Sequence, residues 1–276
     1  MSMTEAGKGR LKGVKLGVIG AGAMGGAIIR GLLAGAVARE NLSYYDPDPA
    51  RQKQLARLKV TAASDQAQVM RAQVIVLAVK PQVMSQVLAG LKDYAGPGHL
   101  IISIAAGVTL KTLEAALPES RVIRTMPNTP TLVGAGMAAL APGSRATPED
   151  VALTLEIFAA VGRAVVVEER LLDAVTGLSG SGPAYVAVFI EALTDGGVKM
   201  GLPRPLALLL ATQTVIGAAR LCLEEEMHPG ALKDLVTSPG GTTITGLHIL
   251  EDGRFRGLLM SAVEAATLRA RELGKE

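Results

Sequence analysis

The chain has 276 residues, a formal net charge of +3 and a hydrophobic fraction of 49% with only 3% aromatic, which makes it long enough for two domains or one large one around an aliphatic core. Its charge is small and dispersed, with no Lys/Arg cluster and no aromatic strip, which argues against nucleic acid as a partner. One cysteine (Cys222) excludes an intramolecular disulfide framework and fits a reducing, cytoplasmic compartment, while His99, His228 and His248 stand too far apart for a metal site.

Residues 1–13 are polar and basic, without the apolar centre of a signal peptide, and are expected to form a disordered tail. Residues 14–19 then make a short apolar run of strand character. It leads into Gly20-Ala21-Gly22-Ala23-Met24-Gly25, after which Ala27, Ile28, Ile29, Leu32 and Leu33 recur at helical spacing. Strand, glycine turn and helix in this order are what a dinucleotide pyrophosphate needs. Gly20 permits the tight turn, Gly22 lets backbone approach the phosphates, and Gly25 lets helix and strand pack closely.

Asp46 ends the next strand-like run, residues 42–45, where a carboxylate would accept hydrogen bonds from the ribose 2′-OH of NAD and repel the 2′-phosphate of NADP. Arg51 lies close by and could neutralise such a phosphate. The choice between NADP(H) and NAD(H) therefore stays open. Asp48 has the place of an N-cap for a helix over residues 50–58.

Further along, strands near residue 60 and at 74–79, 100–104, 121–124, 137–141 and 164–167 alternate with helices at 65–70, 82–91, 110–116 and 149–160. This alternation predicts a mostly parallel sheet covered on both faces, a Rossmann dinucleotide-binding domain over residues 14–168. Ligands of such sheets lie beyond the carboxyl ends of the strands. Those ends carry Ala78-Val79-Lys80-Pro81, then Ala105-Ala106-Gly107, then Met126-Pro127-Asn128-Thr129-Pro130. Small residues at Ala105 and Ala106 would admit a flat nicotinamide, and Asn128 could hydrogen-bond its carboxamide.

Beyond Arg170 the strands stop. Helices are expected at 171–178, 183–199, 203–226, 231–236, 243–250 and 255–273, in an all-α domain over residues 169–276. Residues 206–223 are the most membrane-like stretch, but Thr212, Gln213, Thr214 and Arg220 interrupt it, so a buried helix and no membrane partner are expected. Helices this apolar would leave greasy faces on a monomer, which predicts a homodimer. Within this half, Ser238-Pro239-Gly240-Gly241-Thr242-Thr243 opens into an apolar helix. Such a turn aims several backbone N–H groups at one spot beside a helix N-terminus, an anion nest, and adds the hydroxyls of Thr242 and Thr243.

Taken in order, these segments, with Ser179-Gly180-Ser181-Gly182-Pro183-Ala184-Tyr185 and His228-Pro229-Gly230, resemble the pyrroline-5-carboxylate reductase family over nearly the whole chain. The resemblance implies reduction of Δ1-pyrroline-5-carboxylate to proline with NADPH or NADH. It also implies a helical dimerisation domain and further assembly into a ring of five dimers. In that family the loop matching Ser238, Gly240, Gly241, Thr242 and Thr243 holds the substrate carboxylate, the threonine matching Thr243 bonds the ring nitrogen, and the partner subunit completes the site. A dehydrogenase of the 6-phosphogluconate type, with Lys199 as its base, and a non-catalytic NAD(P)-binding redox sensor are the competing readings. The roles of Glu226 and of the turn at 179–185 stay open.

Overall fold

The computed structural model describes residues 9–274. The chain parts into two compact units: the residues up to Ser181 together with those from Ala265 onward, and Gly182–Glu264.

The first unit is built on eight strands, β1 (Leu16–Ile19), β2 (Leu42–Tyr45), β3 (Thr61–Ala62), β4 (Val74–Leu77), β5 (Leu100–Ser103), β6 (Arg121–Met126), β7 (Gly136–Pro142) and β8 (Gly162–Val166). They form one sheet in the order β3-β2-β1-β4-β5-β6-β7-β8. Neighbours are parallel except β6 and β7, which run antiparallel. The expected mostly parallel sheet is therefore present, and its order reverses between β1 and β4, where such folds hold their ligand. The helices are α1 (Ala23–Leu33), α2 (Pro49–Ala56), α3 (Gln66–Val69), α4 (Pro81–Leu91), α5 (Leu110–Ala116), α6 (Pro148–Ala159) and α7 (Leu172–Val175).

Side-chain alternation builds two cores. Val74, Val76, Leu100 and Ile102 pack with Ile28, Ile29 and Leu32 of α1 and with Ile157 and Phe158 of α6. Ile75, Leu77 and Ile101 point the other way, onto Met84, Leu88 and Leu91 of α4 and Leu113 of α5. Strands apolar at every position are the signature of a sheet covered on both faces.

One expectation needs correction at the start of the chain. The tail predicted over residues 1–13 is packed from Gly9, residues 1–8 lying outside the described residues. Leu11 is 1% exposed and belongs to the first core. The Gly9 and Arg10 N–H groups donate to the two Glu156 carboxylate oxygens, at 2.9 and 3.1 Å. A lone leucine among polar residues carries no periodicity, so the sequence did not announce it. Leu11→Ala is expected to cost about 2–3 kcal/mol and to lower the melting temperature by roughly 5–10 °C. An unchanged melting curve would remove residues 9–13 from the core.

A second correction falls at the end of the first unit. Where one helix was expected over 171–178, α7 gives way to a π-helical turn, Thr176–Gly180. The Ser181 N–H reaches back five residues to the Thr176 carbonyl (2.9 Å).

The second unit holds α8 (Gly182–Lys199), α9 (Arg204–Glu224), α10 (Pro229–Leu235), α11 (Thr242–Asp252) and the start of α12 (Phe255–Leu273). Phe189 and Phe255 stack with ring centroids 5.9 Å apart, and the Tyr185 hydroxyl donates to the Ala262 carbonyl (3.4 Å), which holds α8 against α12. Between Gly182 and Glu264 only Thr194, Ala207 and Ala211 are buried. The buried helix expected at 206–223 is therefore not buried by its own chain. Leu206, Leu208, Leu209 and Leu210 of α9 are all exposed, Leu209 by 65%. Among the described residues α9 is the one helix long and apolar enough to cross a membrane, yet Arg220 and Glu224 pair on it at 2.9 Å. Cys222 is half-buried.

Candidate active site

The glycine turn occupies the point where the strand order reverses. The Ala78 N–H donates to the Ile19 carbonyl (2.7 Å), seating the carboxyl end of β4 beside that of β1. Gly20 has φ 97°, and a Cβ there would come within 2.6 Å of the Ala78 carbonyl oxygen. A Cβ on Gly25 would strike the Gly20 carbonyl oxygen. Gly20, Gly25 and Ala78 thus close the turn, α1 and β4 onto one another. Gly22 differs: a Cβ on it would meet nothing within 4 Å. It is the N-cap of α1, with no side-chain cap, so the first-turn N–H groups face open space. That space and those donors fit a pyrophosphate.

Gly22→Ala is expected to leave melting unchanged and to weaken NADH and NADPH binding ten- to a hundred-fold, about 1–3 kcal/mol for a methyl forced against a close-packed ligand. Undiminished binding would take the pyrophosphate away from this turn. Gly25→Ala would instead damage the fold, because its Cβ meets backbone.

Asp46 sits half-buried at the end of β2. Its Oδ2 accepts the Ala21 N–H at 2.7 Å and its Oδ1 accepts the Asp48 N–H at 2.9 Å. Asp48 caps α2 through the Ala50 N–H (2.8 Å), as expected, and Arg51 lies 3.7 Å from Asp48 on the exposed side. Tyr44 is buried beside this corner. Burial, and then the Asp46 carboxylate, push its phenol above the ordinary tyrosine value, so it stays protonated and donates to the Gln52 carbonyl (3.2 Å).

The other strand ends also lie in the first unit. Lys80 is the N-cap of α4 with Pro81 at its first position, Ala78 and Val79 are half-buried, and Ala105 is 4% exposed. Ala106 lines a cavity of about 530 Å³ with Pro81, Gln82, Gly107, Leu273 and Gly274. Asn128 has its amide engaged within the protein. Its Nδ2 donates to the Ser179 carbonyl (3.1 Å) and lies 3.2 Å from the Ser179 hydroxyl, while its Oδ1 accepts the Met137 N–H (2.8 Å). The amide expected to meet a nicotinamide therefore ties the loop after β6 to β7 and to the π-helical turn. Sequence reasoning flagged Ser179 but missed this partnership. Below it, the half-exposed Glu169 carboxylate accepts from Arg124 (3.0 Å) and from the Leu110 N–H (2.7 Å), joining β6 to the start of α5.

In the second unit, the Gly241 N–H closes a turn on the Ser238 carbonyl (3.1 Å), with Gly240 at φ 67°. A Cβ on Gly241 would displace the Ser238 hydroxyl, while the left-handed backbone at Gly240 is where the turn favours glycine. Gly241 is the N-cap of α11 and carries no side-chain cap, leaving the N–H groups of Thr242, Thr243 and Ile244 without intrahelical partners. The turn concentrates backbone donors with the Thr242 and Thr243 side chains at its edge, Thr243 half-buried and Thr242 exposed. Free backbone donors at a helix N-terminus suit an anion. His228 caps α10 through the Gly230 N–H (3.1 Å), and Glu226, at φ 51°, ends the connection from α9. No cluster of metal-ligating side chains occurs among the described residues.

Residues 169–273 match the family described as pyrroline-5-carboxylate reductase dimerisation, and residues 15–107 match the family described as NADP oxidoreductase coenzyme F420-dependent. A pyrroline-5-carboxylate reductase of Methanosarcina acetivorans is 51% identical over 266 residues, 95% of this chain and 98% of the relative. The chain belongs to the pyrroline-5-carboxylate reductase family. Two solved structures of the family superpose on most of its length. One from Coxiella burnetii is 37% identical with a TM-score of 0.89, covering 94% of this chain and 98% of its own. The pyrroline carboxylate reductase of Plasmodium falciparum with NADP bound is 36% identical with a TM-score of 0.84, covering 95% and 98%.

Proposed function

We propose that this chain reduces Δ1-pyrroline-5-carboxylate to L-proline, the final step of proline biosynthesis, in the cytoplasm. The observation that carries the reading is the Ser238–Thr243 turn, a second anion site on a chain whose first unit already offers one to a dinucleotide. When bound in the first unit, the reduced nicotinamide supplies a hydride to the imine carbon. The backbone N–H groups of Gly240, Thr242 and Thr243 hold the substrate carboxylate, with Gly241 closing the turn beneath them, which fixes the ring face presented. Thr243 directs its hydroxyl to the ring nitrogen, orienting the imine and relaying or stabilising its proton. A hydroxyl is a weak acid, so its role is orientation more than protonation. Most of the rate gain then comes from positioning.

Gly20, Ala21, Gly22, Ala23, Met24 and Gly25 hold the pyrophosphate. Asp46 and Arg51 stand by the adenosine ribose, and Ala78, Val79, Lys80, Pro81, Ala105 and Ala106 line the way to the nicotinamide. Asn128 acts from behind this wall through Ser179. The active form is a homodimer, with a ring of five dimers as the further assembly the family resemblance implies. A second copy, and not lipid, covers α9, because the Arg220–Glu224 pair interrupts any continuous apolar belt. The rival base Lys199 stands exposed at the end of α8.

Oxidation of NADPH and of NADH by the purified protein with pyrroline-5-carboxylate, with proline identified as product, tests the proposal. Turnover with either is expected. Clear NAD(P) binding without turnover would favour the redox sensor.

A further inference from the structure

The glycine turn is held from outside itself. The Gly20 N–H donates to the Tyr45 carbonyl (2.8 Å), and the Ala21 N–H donates to Asp46 Oδ2 (2.7 Å), a charge-assisted bond across 25 residues of chain. Asp46 is itself fixed: its Oδ1 takes the Asp48 N–H (2.9 Å), and its carbonyl takes Gln52 Nε2 (2.8 Å). Arg51 lies beside Asp48, at 3.7 Å. Both carboxylate oxygens are therefore engaged by backbone, one of them by the turn on which a dinucleotide is to be seated.

We propose that Asp46 is a positioning residue for the phosphate-binding turn, holding it in its binding shape before the cofactor arrives. This role is independent of what the adenosine ribose carries at its 2′ carbon, and it rests on the reading of the turn as the dinucleotide site. The physical case has two parts. A turn with glycines at 20 and 22 has broad backbone freedom, and whatever freedom remains in the empty protein is lost on binding and weakens it. Ala21 is 4% exposed, so its N–H without Asp46 becomes a buried donor lacking a partner. The turn would then shift to satisfy it, and its phosphate-facing N–H groups would shift too.

The test uses two ligands that differ only where an ordinary ribose-reading acid acts: NADH, and NADH lacking the adenosine 2′-hydroxyl. Dissociation constants are measured for wild type, Asp46→Ala and Asp46→Asn, beside thermal melting of each. The expected result is that Asp46→Ala weakens both ligands by the same factor, about ten-fold. Asp46→Asn, which keeps an acceptor for the Ala21 N–H, is expected to recover part of that loss equally for both. A merely structural role would lower the melting temperature and leave the affinities of the folded variants unchanged, which would overturn the proposal. It is equally overturned if the 2′-deoxy ligand binds wild type and Asp46→Ala alike while NADH loses affinity, since Asp46 would then act only through the hydroxyl. Should Asp46→Ala fail to fold, Asp46→Asn carries the same comparison. A wild-type protein that binds neither NADH nor NADPH would remove the dinucleotide site itself, a different failure from either of these.

Discussion

Leu209→Asp is expected to leave the chain monomeric at concentrations where the wild type is a dimer, and to abolish turnover. Only Thr194, Ala207 and Ala211 are buried between Gly182 and Glu264, far too little core for a unit of that size to stand alone. The apolar surface of α9 must be removed from water by something. Leu209 is the most exposed of its leucines, at 65%. Burying one such side chain contributes about 1.5–3 kcal/mol, and an aspartate forced into the same place adds a desolvation cost of comparable size or larger. In a two-fold dimer both copies carry the change, so the cost enters twice. A loss of about 6 kcal/mol weakens association by roughly ten-thousand-fold. Sedimentation equilibrium measures it directly. A variant that remains dimeric with wild-type affinity would show that this part of α9 is covered by something other than a second copy.

Thr243→Ala is expected to lower kcat/KM for pyrroline-5-carboxylate ten- to a hundred-fold while leaving NADPH affinity unchanged. The estimate is that of one lost hydrogen bond to the reacting ring, about 1–3 kcal/mol of transition-state stabilisation. The separation of effects follows from the structure. Thr243 belongs to the turn in the second unit, whereas the glycine turn, Asp46 and the strand ends proposed to serve the cofactor belong to the first. The turn closes through the backbone of Ser238 and Gly241, so removing the Thr243 hydroxyl leaves the carboxylate-holding N–H groups in place. Steady-state kinetics with NADPH titrations check both halves. Near-normal turnover would take Thr243 out of the mechanism.

What the sequence revealed about this molecule follows a physical division. Strands β4 and β5 are buried at every position and apolar at all but Ser103, because a sheet covered on both faces demands it, and such runs can be read without partners. The glycine fingerprint and the Ser238–Thr243 turn were legible because their backbone geometry requires particular residues, glycine above all. Contacts between distant segments left no local trace. Leu11 looks like one leucine in a polar leader until Glu156, far along the chain, anchors the backbone beside it. The helix expected at 171–178 begins as a helix at α7, and its π-helical turn is tied to Asn128, just past β6, and packed near Met126, the last residue of β6. For Asn128 and Asp46 the residue types were noticed, but their principal bonds go to the protein itself. The exposure of α9 went unread for a related reason: periodicity reports that a helix face is apolar, not which chain covers it.

The most direct test of the account is the fate of the transferred hydrogen. Incubating the protein with pyrroline-5-carboxylate and NADPH or NADH carrying deuterium at both C4 positions of the nicotinamide, followed by analysis of the proline formed, reads it out. The predicted result is one deuterium per molecule at C5, the former imine carbon, with the hydrogen on nitrogen drawn from solvent. Proline without deuterium, or no proline despite cofactor binding, would contradict the assignment.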